Sequence, residues 1–385
     1  MLFTPLDLRQ LRLKNRFIKT AAFEGMSPGG QVSPALIAHH RELAEKEVAL
    51  TTLAYCAVEP GGRTFPDQLA MEARSYAGMA QLAEAVHQAG GAVSVQLGHC
   101  GRFSRNRAAG LPRGPSWAFN PYGVLSGLPW ARALTTTQIA TLVEAFARAA
   151  KQARELGFDA VEIHLGHGYL LSQFLSPLAN RRRDDYGGSL ENRMRLPLEV
   201  LAAVRAAVGP DFPVLAKINL RDGVRGGWDL ADTLALVPRL EAAGVDALVT
   251  SGGFIPRSAY YLMRGHRPLW AMIKAERNWA TKAALFLFGP LLVKPYPFVP
   301  HYFLDDARRV RAATRLPLVL LGGISNGASL QQAMAAGFDA VAMGRALIAD
   351  PDLVQRVRAD AGFASRCNQC NLCVARMEEG VRCHL

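Results

Sequence analysis

The sequence lacks both of the common glycine-rich nucleotide-binding motifs. Neither Gly-x-Gly-x-x-Gly nor Gly-x-x-x-x-Gly-Lys-Ser/Thr occurs in its 385 residues, so a Rossmann dinucleotide domain and a P-loop are unsupported. An export signal is missing as well, since Met1–Pro5 provides no basic stretch followed by a long apolar core. We therefore expect a cytoplasmic protein.

Long apolar runs are also missing. The most apolar stretch, from Ala283 to Val293, is too short to span a bilayer and contains Gly289 and Pro290, so no transmembrane segment is expected. We interpret it as a buried or lid segment, and shallow monotopic contact with a membrane is the alternative.

Acidic residues are fewer than basic ones. The chain has 32 Asp and Glu against 44 Lys and Arg, which gives a formal net charge of +12. The basic residues are scattered, and their densest run, Arg181–Arg183, is followed at once by Asp184 and Asp185. We interpret the excess as a solvated surface with some attraction for anionic cofactors, and we expect no nucleic-acid partner.

Short apolar runs alternate with helical stretches along most of the sequence. Eight runs are apolar throughout, which is typical of parallel strands buried on both faces. Eight strand–helix units predict an α/β fold, a single TIM (β/α)8 barrel over residues 1–362 with a short cysteine-rich extension over 363–385. The predicted strands are Phe17–Ala21, Ala49–Ala54, Ala92–Leu97, Ala160–Leu165, Val214–Leu220, Ala247–Thr250, Leu318–Leu321 and Ala340–Met343.

Three similar phrases, ELGFDAVEIH, AAGVDALVTS and AAGFDAVAMG, repeat one helix-to-strand connection, which we call the joint. Each has a glycine (Gly157, Gly244 or Gly337) at the end of a predicted helix, then Asp, then a predicted strand. Two long connections, Gly98–Leu134 and Gly252–Asp305, are expected to shape a substrate pocket. The predicted helices include Gln138–Leu156, Pro197–Val208, Leu230–Ala243 and Leu330–Ala336.

Glycines end the last two predicted strands. Gly322 and Gly323 follow strand seven, and Gly344 and Arg345 follow strand eight. In barrels these two loops commonly form a phosphate cradle from backbone N–H groups, and an arginine can pair with the phosphate. Ordinary turns with a surface arginine are the alternative.

The phrase EIHLGHGYLLSQFLSP follows the fourth predicted strand. His164 and His167 could hydrogen-bond and polarise a carbonyl oxygen, while Tyr169 could donate a proton. A zinc site or a structural histidine pair would also suit the spacing.

Four of the six cysteines lie in the last nineteen residues, in the phrase RCNQCNLCVARMEEGVRC. Cys367, Cys370, Cys373 and Cys383 form a Cys-x2-Cys-x2-Cys-x9-Cys array. With no export signal, this clustering favours a metal or cluster site over disulfides. Both a [4Fe–4S] cluster and zinc suit four thiolates in a short segment.

Three phrases together resemble the Old Yellow Enzyme family: LFTPLDLRQLRLKNRFIKTAA, HLGHGYLLSQFLSPLANRRRDDYGGSLENRMR and GGIS…MGRALIADPDL. The similarity runs in order from about Leu2 to the final cysteines. It implies an FMN-binding barrel, reduced by NADH or NADPH, with the FMN phosphate held at Gly323, Gly344 and Arg345.

The resemblance also implies a reaction, the reduction of the C=C bond of an enone or enal. His164 and His167 would hold the substrate carbonyl, and Tyr169 would protonate the α-carbon after hydride reaches the β-carbon. The flavin would perform the redox chemistry, and the protein would supply position and polarity.

Five residues match the family's isoalloxazine contacts. Ala22, Phe23 and Ala57 correspond to positions beside the ring system. Gln96 matches the glutamine at the pyrimidine edge, and Lys217 falls where a cation faces the N1–O2 region.

These assignments have alternatives and departures. Gln96 could instead cap a strand, and Lys217 could pair with a barrel carboxylate such as Glu162. Phe23 stands where many relatives have a Thr or Cys that hydrogen-bonds the flavin, so reactivity could differ from that of simple ene-reductases. Lys217 replaces the commoner arginine and keeps the charge without the planar fork.

The cysteine array is similar to that of the 2,4-dienoyl-CoA reductase and trimethylamine dehydrogenase branch. The resemblance implies a [4Fe–4S] cluster that relays electrons, ranked above zinc and above free thiols. No second, nucleotide-binding half is visible after the array, so an external electron-transfer partner is left open, as is a homo-oligomer. The alternative function is a flavin dehydrogenase of an amine or other small substrate that passes electrons through the cluster.

Overall fold

The structure is a computed structural model that describes residues 1–255 and 257–385. Thirteen strands lie within these ranges: β1 (Leu6–Leu8), β2 (Leu11–Leu13), β3 (Phe17–Lys19), β4 (Leu50–Ala57), β5 (Ala92–Gly98), β6 (Arg113–Gly114), β7 (Ala118–Phe119), β8 (Trp130–Ala133), β9 (Ala160–Leu165), β10 (Val214–Asn219), β11 (Ala247–Ser251), β12 (Leu318–Leu321) and β13 (Ala340–Met343).

The helices alternate with the strands. In chain order they are α1 (Pro34–Glu45), α2 (Ala73–Gln88), α3 (Thr136–Glu155), α4 (Leu170–Leu175), α5 (Leu190–Val208), α6 (Leu230–Ala242), α7 (Leu269–Ala275), α8 (Trp279–Leu292), α9 (Leu304–Ala313), α10 (Gly327–Ala335), α11 (Arg345–Ala349), α12 (Leu353–Ala359) and α13 (Leu372–Ala375).

Eight parallel strands close into a barrel in the order β3, β4, β5, β9, β10, β11, β12 and β13, and β13 pairs with β3. These are the eight predicted strands, so the TIM barrel prediction is confirmed. Their apolar side chains are buried because one face fills the barrel interior and the other packs against the helices. The site described below lies at the carboxyl ends of these strands.

Capping side chains mark the start of several helices. Thr135 and Gln138 form a capping box that starts α3, and Ser189 caps α5 by accepting a hydrogen bond from the Asn192 N–H. The prediction that α5 begins at Pro197 was therefore wrong. The cap at Ser189 starts the helix at Leu190, about two turns before Pro197, which lies buried inside it.

The three repeated joints share one backbone conformation. Gly157, Gly244 and Gly337 have φ of 89°, 85° and 84°. Each follows a helix and turns the chain into a strand, in a left-handed region where a side chain would be strained.

Both long connections contain secondary structure. The first carries the small sheet β6–β8–β7, and the second carries α7 and α8. The interpretation of Ala283–Val293 as a buried segment was wrong for most of its length, because one face of α8 packs on α7 and the other is exposed. No helix in the described ranges is long and apolar enough to cross a membrane.

The cysteine-rich extension lies across the carboxyl ends of the barrel strands. Asn371 Nδ2 donates to the carbonyl oxygens of Met263 and His266, and the Val381 N–H donates to the Glu24 carbonyl at 2.7 Å. The extension therefore joins the α7 region to the loop after β3.

Candidate functional site

A layer of polar side chains fills the barrel near its carboxyl end. Parallel pairing sets Gln96 beside Glu162 and Lys217 beside His164. Glu162 Oε1 accepts from Gln96 Nε2 at 2.7 Å and lies 2.9 Å from Lys217 Nζ, which also donates to Thr20 Oγ1 at 2.9 Å. The ion pair weighed as an alternative for Lys217 is therefore present, and Glu162 is the acceptor shared by both predicted flavin contacts.

A second buried ion pair adjoins the first. Lys19 Nζ contacts Glu24 and donates to the Thr52 carbonyl, while His40 Nε2 lies 3.4 Å from Glu24. Burial alone would raise the pKa of Glu24, but Lys19 and then His40 hold it at about 2. The interior at this level thus contains two neighbouring Lys–Glu pairs.

Such a layer is costly for folding alone, because buried ion pairs are often no more stabilising than apolar packing. Lys217 and Gln96 are both nearly inaccessible, at 1% and 4% exposure. A layer of polar and charged side chains of this kind suits the pyrimidine edge of an isoalloxazine, which presents hydrogen-bonding atoms and gains negative charge on reduction.

His164, His167 and Ser251 form a hydrogen-bonded row beside this layer. His164 Nε2 lies 3.2 Å from His167 Nδ1, and His167 Nε2 lies 2.7 Å from Ser251 Oγ. The backbone N–H of His167, a residue with φ of 60°, donates to Asn219 Oδ1. The sequence placed both histidines together but missed Ser251, which ends a strand two positions away around the barrel.

Both imidazoles are neutral at ordinary pH. Burial, and then the positive charge of Lys217, lowers the pKa of His167 to about 3, and burial lowers that of His164 well below its usual range. Among the described residues, His164 Nδ1 is buried without a hydrogen-bond partner. If Ser251 donates to His167 and His167 donates to His164, then His164 Nδ1 carries a proton that it can donate to a ligand. If both hydrogen bonds run in the opposite direction, His164 Nδ1 is an acceptor.

Tyr169 stacks on Tyr55, which the sequence did not single out. Their ring centroids lie 4.9 Å apart with an interplanar angle of 18°, and His164 is 5.0 Å from the Tyr169 ring. The register of β4 shifts between Leu53 and Cys56, so a bulge directs Tyr55, whose hydroxyl donates to the Gly62 carbonyl. Burial raises the pKa of both phenols, which therefore stay protonated and can donate.

The glycines predicted to hold a phosphate lie at the ends of β12 and β13. Gly323 has φ of 75°, and a Cβ on Gly344 would lie 3.3 Å from Thr20 Cγ2, beside the hydroxyl that accepts from Lys217. Both glycines lie in loops, and among the described residues their N–H groups donate to no backbone carbonyl there. Free N–H groups and close backbone approach are what a phosphate cradle requires.

Arg345 is held by the extension. Its Nη1 donates to Asn371 Oδ1 at 2.6 Å and to the Arg264 carbonyl at 2.9 Å. The guanidinium therefore lies between the predicted phosphate cradle and the cysteine array.

The remaining predicted flavin contacts line the same end of the barrel. Ala57 is fully buried at the end of β4, and Ala22 and Phe23 are half-buried after β3, where Phe23 packs on Phe65 at 5.3 Å. Together with Gln96 and Lys217 these residues bound one side of the mouth, so the chain's residues fit the FMN that the resemblance implies.

The four tail cysteines are free and half-buried. Burial raises the pKa of Cys367 above its usual value and that of Cys373 to about 11, so these thiols are protonated when unliganded. Within the described ranges they form no group of three or more placed to hold a metal ion. Four thiols in one segment suit a cluster or zinc chemically, and the metal site stays a prediction.

Arg102 is a buried cation at the mouth that the sequence did not reveal. Its guanidinium lies over the rings of Phe103 and Phe254, at 4.9 and 5.6 Å, and burial lowers its pKa to about 10. Phe254 pairs with His167 in an isolated parallel bridge. In the described part of the chain no carboxylate lies within 4.0 Å of Arg102.

The profile of the NADH:flavin oxidoreductase / NADH oxidase family matches residues 1–259. The chain is 40% identical to the 4,4'-dithiodibutanoate disulfide reductase of Rhodococcus erythropolis over 99% of this chain and 94% of that protein. It is 32% identical to the NADH oxidase of Thermoanaerobacter brockii over 96% of this chain, which spans 53% of that longer protein.

A solved structure shows the same fold. The 2-naphthoyl-CoA reductase complex with 2-naphthoyl-CoA superimposes with a TM-score of 0.83 and 23% identity, covering 99% of this chain and 56% of that one. The coverage includes the cysteine-rich extension as well as the barrel.

Proposed function

The chain belongs to the NADH:flavin oxidoreductase / NADH oxidase family, which includes the Old Yellow Enzymes, and on that basis we propose that it reduces the C=C bond of small α,β-unsaturated carbonyl compounds with NAD(P)H. Membership of this family supports the function of an FMN-dependent NAD(P)H oxidoreductase. Overall, the alkene gains two hydrogens, one as hydride and one as a proton, and NAD(P)H becomes NAD(P)+.

One observation supports the reaction type: His164 Nδ1, which has no hydrogen-bond partner among the described residues, lies in a neutral histidine row next to two protonated phenols. A neutral imidazole N–H can hydrogen-bond a carbonyl oxygen without the cost of burying an imidazolium. The Tyr169 hydroxyl stays protonated, since burial raises its pKa, and it is therefore available as the proton donor. These groups would hold the carbonyl and protonate the α-carbon.

FMN, when bound, supplies the hydride to the substrate. Gln96 and Lys217 would hydrogen-bond its pyrimidine edge, and Glu162 would keep both side chains in place. Ala22, Phe23 and Ala57 would pack beside the ring system. Gly323, Gly344 and Arg345 would hold the phosphate, and Arg345 would then exchange its contacts with the extension for the phosphate oxygens.

Reduction of a small organic disulfide is the second candidate. It is favoured by the relative that reduces 4,4'-dithiodibutanoate, which matches this chain over almost its full length. That substrate carries two carboxylates, and Arg102 offers a buried cation near His167 without a carboxylate partner in the described residues. Here one disulfide and NAD(P)H would give two thiols and NAD(P)+, with the added proton from solvent or Tyr169.

Steady-state assays with each nicotinamide, on 2-cyclohexenone and on 4,4'-dithiodibutanoate, separate the two candidates. We expect turnover of the enone and flavin bands in the visible spectrum of the anaerobically purified protein. Turnover of the disulfide alone would favour the second candidate. Failure of both nicotinamides to bleach the flavin would refute both.

The alternative taken from the cysteine array, a dehydrogenase that passes electrons through a [4Fe–4S] cluster, stays a prediction. It requires iron and acid-labile sulfide in the anaerobic protein. Zinc at one per chain would argue against electron transfer through this segment.

A further inference from the structure

The helix pair α7–α8 exposes a continuous apolar surface, which we call the α7–α8 patch. It consists of Trp270, Trp279, Phe286, Leu287, Phe288, Leu291 and Leu292, all more than half exposed. Along α8, residues Trp279, Ala283, Phe286 or Leu287, and Leu291 recur every three to four positions, so they share the outward face of the helix. An ordinary surface helix has polar residues on this face.

The folding of the helix pair does not explain the patch. The inward face of α8 already packs, because Leu285 contacts a buried cluster that contains Leu269 and Ile273 of α7 and Val293. Gly289 lies so close to Leu269 that a Cβ would come within 2.4 Å of its Cδ1. On the outward side, Trp270 and Phe286 form an aromatic pair between the two helices, with ring centroids 6.2 Å apart, and both rings stay more than half exposed.

Cations surround the patch. Lys274, Arg277, Lys282 and Lys294 are all exposed, and within residues 1–255 and 257–385 none of them lies within 4.0 Å of a carboxylate. The only acidic residue from 264 to 294 is Glu276, and its Oε1 accepts from the Asn278 N–H. Exposed aromatic and leucine side chains flanked by Lys and Arg are the composition of helices that lie in the interface of a membrane.

We propose that the α7–α8 patch binds the surface of an anionic phospholipid bilayer, with α8 lying in the plane of the interface. Its apolar face would enter the headgroup region, and the four cations would contact lipid phosphates. With 14 residues, α8 is too short to cross the bilayer. Self-association fits less well, because a two-fold dimer through this face would bring the cations of both copies together without carboxylates to pair them.

The geometry sets where the rest of the molecule would lie. The Gly265 N–H and the His266 N–H tie the start of this region to Tyr296 and to Gln369 of the extension. A bilayer bound at the patch would thus lie beside the cysteine array and on the carboxyl side of the barrel.

Vesicle co-sedimentation of the full-length, FMN-loaded protein tests the proposal. We expect binding to phosphatidylcholine vesicles that contain phosphatidylglycerol and weak binding to phosphatidylcholine alone. Leu287→Glu should reduce binding at least about ten-fold, since a leucine is lost from the apolar phase. Lys282→Gln should reduce it by about five-fold, and only for the anionic vesicles.

Leu125→Glu is the matched control, because Leu125 is 54% exposed and Leu287 is 65% exposed. It should bind vesicles as the unchanged protein does, and the flavin spectrum reports that each variant is folded. The proposal is overturned by equal binding of all variants, or by no binding to anionic vesicles. It is also overturned if Leu287→Glu abolishes a concentration-dependent dimer in sedimentation velocity while vesicle binding is absent. None of these readouts depends on the substrate of the enzyme.

Discussion

Replacing Glu162 with glutamine removes one charge from the barrel interior and leaves the shape unchanged. The amide oxygen can still accept from Gln96, so the variant isolates the ion pair with Lys217. At 2.9 Å and an effective dielectric constant of about 20, the attraction is about 6 kcal/mol before desolvation is subtracted. Removing one partner of a buried pair typically costs about 3–5 kcal/mol. We expect Glu162→Gln to lower the free energy of unfolding by about 3–5 kcal/mol.

Urea unfolding, followed by circular dichroism, measures this loss. Glu155→Gln is the control. Glu155 pairs with Lys151 on the exposed surface, with 3.9 Å between Lys151 Nζ and Glu155 Oε1, and this pair should contribute less than about 0.5 kcal/mol. In the double variant with Lys217→Met, the unpaired cation is gone, and we expect at least half of the loss to be recovered. A single variant as stable as the unchanged protein, or a double variant less stable than Glu162→Gln, would show that the two charges do not act as a pair.

Three further predictions concern the mouth and the extension. Tyr169→Phe should slow alkene reduction by about 10²-fold or more in stopped-flow assays while NAD(P)H still reduces the flavin at the normal rate, and loss of both steps would mean that the tyrosine is structural. His40 and His167 have pKa values lowered to about 4 and 3, so the unfolded state takes up protons that the folded state does not. The free energy of unfolding should therefore fall as the pH drops below about 6.5, by up to about 1.4 kcal/mol per pH unit for each histidine. A free energy of unfolding that stays constant from about pH 6.5 to about 4.5 would contradict this. Cys373→Ser should abolish bound iron and sulfide in anaerobic elemental analysis and leave the flavin bands, whereas unchanged iron would exclude this thiol as a ligand.

The barrel was predictable because each of its signals is local. Apolar runs gave all eight strands, and the glycine at each repeated joint has the positive φ that its position suggested. Once the strands are known, parallel pairing brings their carboxyl ends together, which places Gln96 beside Glu162 and Lys217 beside His164.

The missed residues depend on features that no short stretch of sequence encodes. Tyr55 reaches the mouth because a bulge shifts the register of β4, and Ser251 meets His167 from a strand two positions away around the barrel. Arg102 is buried by Phe254, which comes from a loop far along the chain. For α8, composition alone could not tell a buried helix from an exposed apolar one, since both contain the same residues.

The pairing of β13 with β3 also has a consequence for how the protein forms. Arg16 and Asp339, which meet where these strands join, are separated by 323 residues along the chain. During synthesis β3 can pair with β4 early, but it stays without β13 until residue 343 has emerged, and such distant contacts slow folding. Lys19 and Glu24 acquire their full surroundings only at that last step. A chain truncated before β13 would therefore expose apolar strand edges to aggregation and would contain no complete mouth.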